Sequence, residues 1–140
     1  MVQKASAKLT EMMNQALAAE LQAIIQYQWH HVMIKGMHSA ELSEVFKKAS
    51  MVEMRHAEEI AERLNYFDVL PMIKPNPIAV GGDALTMIRA DVKAEEEAIT
   101  LYKTIIKQAA SDGDETTRLL FEEILSEEED HHDTFTTLLG

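Results

Sequence analysis

The sequence contains no cysteine in its 140 residues. Disulfides, thiolate metal sites, iron–sulfur clusters and cysteine nucleophiles are therefore excluded, and any metal ion must be bound by oxygen and nitrogen ligands. Long apolar runs are missing as well, since no stretch of about 18 uninterrupted apolar residues occurs and the N-terminus shows no secretory signal pattern. These absences predict a cytoplasmic protein that does not associate with a membrane.

Basic residues are in deficit, because 13 lysines and arginines are outnumbered by 24 acidic residues, which leaves a formal net charge of −11. The sequence has no basic cluster of the kind that binds phosphates, which argues against a nucleic acid partner. Metal cations are more suitable partners for such a chain. The alternative explanation of the acidity is a solvated surface that keeps the protein soluble.

Strand signals are scarce, because β-branched residues occur singly at helical spacing and no segment alternates apolar and polar residues over the length of a strand. Helical periodicity fills most of the chain instead. It predicts four long helices within one domain, 1–140, with the bounds 4–35, 39–67, 83–111 and 114–139. Gly36 ends the first helix, and Ser39 and Asp83 are the predicted N-caps of the second and third.

The segment 68–82 cannot continue either neighbouring helix, because it contains Pro71, Pro75, Pro77 and two glycines. About fifteen extended residues reach roughly 50 Å, whereas a helix of about 28 residues is roughly 42 Å long. The segment is therefore long enough to run the length of a bundle. Two antiparallel hairpins joined by one long crossover predict an all-α, ferritin-like four-helix bundle rather than the simple up-down-up-down type.

Glutamate interrupts the apolar stripe of each of the first two helices. The predicted inward stripe of the first helix consists of Leu9, Met13, Leu17, Glu20, Ile24, Tyr27, His31 and Ile34. That of the second helix consists of Ala49, Glu53, His56, Ile60 and Leu64. Glu20, Glu53 and His56 are therefore predicted to point towards the same interior as their apolar neighbours.

The same periodicity chooses among the acidic residues of the other two helices. The inward stripe of the third helix consists of Ile88, Val92, Glu95, Ile99, Tyr102 and Ile106. That of the fourth consists of Leu120, Ile124, Glu128, His131, Phe135 and Leu138. Glu96 and the adjacent pair Glu129 and His132 are then predicted to face solvent. His30, beside His31, is likewise predicted to be a solvated or hydrogen-bonded surface residue.

The two halves of the sequence repeat each other. Glu20 precedes Glu53 by 33 residues, and Glu95 precedes Glu128 by 33 residues. Each half thus contributes one lone glutamate and one Glu-x-x-His pair to the predicted interior. The register of the repeat also supports Glu95 over Glu96, because the apolar neighbours of Glu20 and Glu95 then match.

Four buried carboxylates and two buried imidazoles need neutralisation, because an isolated ion inside a protein costs several kcal/mol. Two divalent cations would supply it, and this mixture of oxygen and nitrogen donors suits iron or manganese and tolerates zinc. The set matches the pattern already described for di-iron carboxylate bundles. The alternative is that the six side chains are buried in salt bridges with Arg55, Arg63 or Lys93.

Nearly the whole chain resembles the bacterioferritins, haem-containing relatives of ferritin. The matching segments, in the family's order, are AAELQAIIQY, EMRHAEEIAERL, the prolines that follow it, MIRADVKAEEEA and ILSEEEDHHD. The resemblance implies six iron ligands, which are Glu20, Glu53, His56, Glu95, Glu128 and His131. It also implies that Glu53 and Glu128 bridge two iron ions, that the other four are terminal ligands, and that Tyr27 lies near the centre.

The resemblance has further implications for haem and assembly. Met54 stands where the family has its haem-ligating methionine, which implies haem b at a dimer interface, and the alternative is a methionine that merely fills a helix interface. Family members usually continue into a short fifth helix that helps assembly, whereas this sequence ends at Gly140 and resembles a short form. We expect a homo-oligomer, a dimer at least, with a cage as the larger alternative. Lys48 and Val52 replace a His and an Asp that hold inner-surface iron in the family, which argues against an iron relay there.

These features predict a ferroxidase-type di-iron oxidoreductase that oxidises Fe(II) to Fe(III) with oxygen or peroxide, for iron storage or detoxification. Its catalytic residues would be the six ligands and Tyr27, while Tyr102 is predicted to be a core residue or a support for the ligands. One alternative is a rubrerythrin-like enzyme that reduces peroxide or oxygen without storing iron, although the absence of cysteine argues against a form with a Cys-rich domain. Another is a bundle in which the metals are structural.

Overall fold

The computed structural model describes residues 5–140, which form four α-helices: α1 (Ala7–Met33), α2 (Ser39–Tyr66), α3 (Ala84–Ser111) and α4 (Glu115–Leu139). No strand occurs in this described part of the chain, and the all-α prediction is confirmed. The predicted start of the first helix at residue 4 lies outside the described residues. Within residues 5–140, no helix combines the length and apolar composition needed to cross a bilayer.

Three helices begin at a side chain that accepts a hydrogen bond from the first turn. Ser6 accepts a hydrogen bond from the Leu9 backbone N–H at the start of α1. Asp83 and Asp114 each accept one in the same way from a backbone N–H in the first turn of α3 and of α4. The predicted cap Ser39 is wrong, because His38 is the N-cap of α2 and makes no side-chain capping bond. The chain reverses at Gly36, where φ is +107°, and Ser39 N–H already donates to the Gly36 carbonyl at 3.2 Å.

The helices pack as two hairpins. α1 lies along α2 and α3 lies along α4, and the hairpins join mainly through α1 and α3, whereas α2 and α4 touch only over a short stretch. The crossover 68–82 runs beside α1: the Asn14 side-chain amide donates to the Leu70 carbonyl at 3.2 Å, and the Asn76 backbone N–H donates to the Ala18 carbonyl at 3.1 Å. The predicted connectivity is therefore confirmed.

Two apolar clusters fill the bundle, one towards each end. One contains Leu17, Ile60, Tyr102 and Phe121, and the other contains Tyr27, Phe46, Met87 and Phe135. On every helix the buried glutamate falls between the segments that contribute to the two clusters. A layer of ionisable side chains therefore crosses the middle of the core.

The inward face of α1 differs from its prediction near the C-terminal end. His31 is only partly buried, and its Nδ1 lies 2.8 Å from the Ser43 hydroxyl, whereas His30, predicted on the surface, is completely buried. The physical reason is that α1 has neighbours on several sides, because α2, α3 and the crossover all pack against it, so its buried face is wider than one stripe. Leu138 is a further error, since it is 41% exposed near the end of α4.

Candidate metal centre

Six side chains from the four helices converge in the polar layer. They form two groups whose ligand atoms lie within 4.8 Å of one another, each with three carboxylates and one imidazole. One group consists of Glu20, Glu53, His56 and Glu128. The other consists of Glu53, Glu95, Glu128 and His131. Glu53 and Glu128 belong to both groups, so they lie between the two positions that a cation pair would take.

The helical phase that turns these side chains inward agrees with the predicted stripes. All four carboxylates are at most 2% exposed, His56 is fully buried and the His131 side chain is 15% exposed. The exposed position of Glu96, next to Glu95, agrees with the same prediction. Burial of this density among apolar clusters means that water does not screen the charges.

Several carboxylate oxygens and one imidazole nitrogen in this layer lack a hydrogen-bond partner among the described residues. They are Glu20 Oε2, Glu53 Oε1, Glu95 Oε2, Glu128 Oε2 and His131 Nδ1. Buried polar atoms are normally satisfied, so an unsatisfied set that converges requires an explanation. Oxygen and imidazole nitrogen donors in this arrangement fit two divalent transition-metal ions such as Fe²⁺, Mn²⁺ or Zn²⁺.

Both histidines turn Nδ1 towards the carboxylates. His56 Nδ1 lies 2.8 Å from Glu128 and 3.5 Å from Glu20. His131 Nδ1 lies 3.0 Å from Glu53 and 3.5 Å from Glu95. Each imidazole is thus directed at one of the two positions between the shared carboxylates.

The carboxylates titrate unequally because they share one buried space. Burial, followed by the charges of neighbouring glutamates, raises the pKa values of Glu53 and Glu128 well above the usual range. Burial also acts on Glu20, but hydrogen bonds with Glu53 and His56 outweigh it and lower the Glu20 pKa. For His56 the same partnership with Glu20 outweighs burial and raises the imidazole pKa. Positive charge in this layer is therefore favourable.

Two tyrosines support the carboxylates reciprocally. Tyr27 on α1 donates its hydroxyl hydrogen bond to Glu95 on α3, and Tyr102 on α3 donates to Glu20 on α1 at 2.6 Å. Both rings are fully buried, and burial, together with the adjacent carboxylate charge, raises both phenol pKa values well above 10. Each phenol therefore keeps its proton and holds one carboxylate oxygen in place.

The salt-bridge alternative has no support in the described residues. Arg55 pairs with Glu127, and Arg63 lies 2.9 Å from Asp114, which caps α4. Lys93 is exposed. None of the six interior side chains is paired with a lysine or arginine within residues 5–140.

Met54, the remaining predicted site residue, lies outside the cluster, and so does the pair Glu129 and His132, which was predicted to face solvent. Met54 is 56% exposed on α2, so it points away from the core, as its position beside Glu53 requires. Glu129 is exposed, and His132 is partly buried with its Nε2 3.5 Å from Glu96.

Sequence reasoning missed a second buried polar cluster near the centre. Asp91 lies 2.9 Å from His30 Nδ1 and accepts a hydrogen bond from the Gln26 amide at 2.8 Å. Gln26 in turn accepts the backbone N–H of Ala79 at 3.0 Å, which ties the crossover to α1 and α3. Burial raises the pKa of Asp91, although its partners His30 and Gln26 oppose the rise. The sequence did contain a signal for this cluster, because Asp91 precedes Glu95 by one helical turn and so lies on the same face of α3.

Glu127 was also missed as a residue of the centre. It lies next to Glu128 in the acidic run of α4, and it contacts His56 from the side opposite the carboxylates at 3.2 Å. Helical phase alone places it on the edge of the inward face, so only the crossing of α2 and α4 identifies its partner. Burial acts to raise the pKa of Glu127, but its contacts with His56 and Arg55 outweigh burial and lower that pKa, which keeps the carboxylate ionised.

The chain is similar to known proteins over almost its whole length. Residues 10–140 match the ferritin-like domain family. The bacterioferritin of Brucella melitensis is 31% identical over 137 residues, which cover 97% of this chain and 85% of that protein. The bacterioferritin of Desulfovibrio desulfuricans is 36% identical over 126 residues, covering 89% of this chain and 70% of that protein.

Solved structures give the same result. The bacterioferritin of Rhodobacter capsulatus, described with a metal-free dinuclear site and haem iron, has a TM-score of 0.89 at 29% identity and covers 96% of this chain and 85% of that one. A Mycobacterium tuberculosis bacterioferritin reaches 0.90 at 30% identity, covering 98% and 87%. That of D. desulfuricans, with a diiron site in different catalytic states, reaches 0.89 at 32% identity, covering 94% and 78%.

Proposed function

The chain belongs to the ferritin-like family, within its bacterioferritin group, and on this premise we propose that it is a di-iron ferroxidase. It oxidises Fe(II) to Fe(III) with oxygen or peroxide, in iron storage or detoxification. The observation that carries the proposal is the pair of donor groups that share Glu53 and Glu128. The cytoplasmic location expected from the sequence stays a prediction.

The proposed ligand roles follow from the two groups. Glu53 and Glu128 would be shared by the two ions, Glu20 and His56 would complete the binding of one, and Glu95 and His131 would complete the binding of the other. Two ferrous ions supply the two electrons that, with two protons, reduce dioxygen to hydrogen peroxide or peroxide to water. Four carboxylates carry the charge needed to balance two divalent ions, so loading removes the repulsion that raises the pKa values of Glu53 and Glu128.

The supporting side chains keep the donors in place. Each histidine must present an unprotonated Nδ1 to an ion, so binding releases any proton held there. Tyr27 and Tyr102 stay protonated and donate to Glu95 Oε1 and Glu20 Oε1, which limits the rotation of these terminal carboxylates. Apolar clusters on both sides of the layer exclude water and strengthen these electrostatic interactions.

Met54 carries the proposal for haem and assembly. A methionine that is 56% exposed on α2 can meet a second copy of the chain, and the similar bacterioferritin structure of R. capsulatus contains haem iron. We therefore propose haem b at the interface of a homodimer at least, with Met54 as its ligand. A visible spectrum of protein purified with its native cofactors tests this, because replacement of Met54 by leucine should remove the haem absorption bands.

Stopped-flow absorbance tests ferroxidase activity. Ferrous ion is added to the metal-free protein under argon, oxygen is admitted, and the ferric absorbance is followed. The combined replacement of Glu53 and His131 by alanine should abolish the fast phase. The control replaces Glu96, the exposed neighbour of Glu95, and His132, the neighbour of His131, by alanine and should retain it. An unchanged fast phase in the first variant would overturn the proposal.

The iron retained per chain tests storage separately. Many more than two irons in a large particle, measured by metal analysis after size exclusion, are expected for storage. About two irons per chain in a dimer would replace storage by peroxide or oxygen reduction at the same six ligands.

A further inference from the structure

The two histidines of the metal centre meet different surroundings on their outer sides. His56 directs Nδ1 at Glu128, and its Nε2 lies 3.2 Å from Glu127 Oε1. The second oxygen of Glu127 accepts a hydrogen bond from the Arg55 guanidinium. Glu127 is partly exposed and Arg55 is exposed, so these two side chains link His56 to the surface.

In residues 5–140, no carboxylate lines the outer side of His131. Glu127 directly precedes Glu128, and the residue that directly precedes the equivalent Glu53 is Val52. The valine side chain cannot accept a hydrogen bond. His131 instead borders a cavity of about 220 Å³ that is also lined by Val52 and Lys48. His131 therefore has an apolar and cationic lining where His56 has an anion.

This difference changes how strongly each imidazole binds a metal ion. A carboxylate that accepts the outer N–H of a metal-binding histidine fixes the ring and makes the inner nitrogen a stronger ligand, and its loss typically lowers metal affinity about 10–100-fold. The negative charge of Glu127 favours a cation on the His56 side, whereas the positive charge of Lys48 disfavours one on the His131 side. Both effects act in the same direction.

We propose that Glu127 is a positioning residue for His56 and that the two cation positions are therefore unequal. A divalent cation binds first and more tightly among Glu20, Glu53, His56 and Glu128. The second cation binds more weakly among Glu53, Glu95, Glu128 and His131. This inference rests on the proposed function, because it takes the same six side chains as ligands.

Cobalt binding to the metal-free protein tests the order. Co²⁺ is added in steps, affinities come from calorimetry, and the histidine ring resonances are followed in protein labelled with ¹⁵N-histidine. The His56 signals should shift during the first equivalent and the His131 signals during the second, with affinities that differ at least about tenfold. Simultaneous shifts with equal affinities, or a first shift at His131, would overturn the inequality while leaving a dinuclear site. Cobalt binding that is unchanged when Glu53 is replaced by alanine would instead reject the dinuclear site itself.

Variants separate positioning from a general structural effect. Glu127→Ala should weaken the first equivalent about 10–100-fold, and Glu127→Gln, which keeps an acceptor but loses the charge, should fall between it and the wild type. Val52→Glu adds the missing carboxylate and should tighten the second equivalent, which brings the two affinities closer. Glu123→Gln removes an exposed charge one turn earlier on α4 and should change neither. If Glu127→Ala lowers both affinities equally, or leaves the first unchanged, the positioning role is wrong.

Discussion

Replacing Glu53 by glutamine should stabilise the metal-free protein, although it changes a side chain at the centre of the bundle. Glu53 is 2% exposed, its Oε1 has no hydrogen-bond partner, and burial and then the charges of Glu20 and Glu95 raise its pKa. Without a cation, the carboxylate at neutral pH either takes up a proton or remains a repelling buried charge. Glutamine has nearly the same shape, carries no charge and adds an N–H donor among oxygens.

The expected gain is about 1–3 kcal/mol in the free energy of unfolding at pH 7, or a rise in Tm of roughly 3–10 °C. It should depend on pH, because the folded-state pKa of Glu53 lies above the unfolded value of about 4.3. The stability linked to Glu53 is fully present below that unfolded value and is lost as pH rises towards the folded-state pKa. Glutamine does not titrate, so the difference should be small near pH 4 and largest near pH 7.

Divalent cations should reverse the order of the two proteins. A cation at about 100 times its Kd stabilises the folded state by about 2.7 kcal/mol, and Glu53→Gln should lose most of this because it removes a shared charge. Thermal unfolding followed by circular dichroism, with chelator or with Zn²⁺ between pH 4 and pH 8, measures both effects. Glu96→Gln, at an exposed position, should stay within about 0.5 kcal/mol. A metal-free Glu53→Gln protein less stable than the wild type at pH 7 would refute the reasoning.

Three further predictions concern the tyrosines beside the carboxylates, the buried Asp91 cluster and the N-cap of α4. Tyr27→Phe and Tyr102→Phe should each destabilise the protein by a similar amount, about 1–3 kcal/mol in urea unfolding, because each leaves one buried carboxylate oxygen without its donor. Asp91→Ala should lower the free energy of unfolding by about 1–3 kcal/mol, because it leaves His30 unpaired. It should also speed hydrogen exchange of the crossover amides, since Asp91 holds Gln26, which accepts the Ala79 N–H, and unchanged exchange would contradict this link. Asp114→Ala should cost about 1–2 kcal/mol at pH 7. The hydrogen bonds of Asp114 with Thr117 and Arg63 outweigh burial and lower its pKa in the folded protein. The stability that Asp114 contributes is therefore present above its unfolded-state pKa and is lost as pH falls through its folded-state pKa. The free energies of unfolding of the wild type and the variant, measured at pH 7 and at pH 3, test this dependence.

The sequence by itself determined the four helices, the crossover and the inward direction of the six ionisable side chains. Each of these is encoded locally: prolines break a helix wherever they occur, and a period of 3.6 residues fixes the face on which a side chain lies. The internal repeat strengthened the choice of Glu95 over Glu96, because two independent stripes had to agree. The structure brings these side chains together as that phase requires.

Only the tertiary structure decided which neighbours each side chain meets. Periodicity gives an angle on one helix, but a contact also depends on how closely and at what angle the other helices and the crossover pass. His30 is buried rather than His31 because three elements surround that end of α1, and Glu127 contacts His56 because α4 passes α2 at that level. The equivalent helices present Val52 and a cavity to His131. Two halves that repeat in sequence therefore differ in space, because the surroundings of a side chain are set by packing between segments that are distant in the chain.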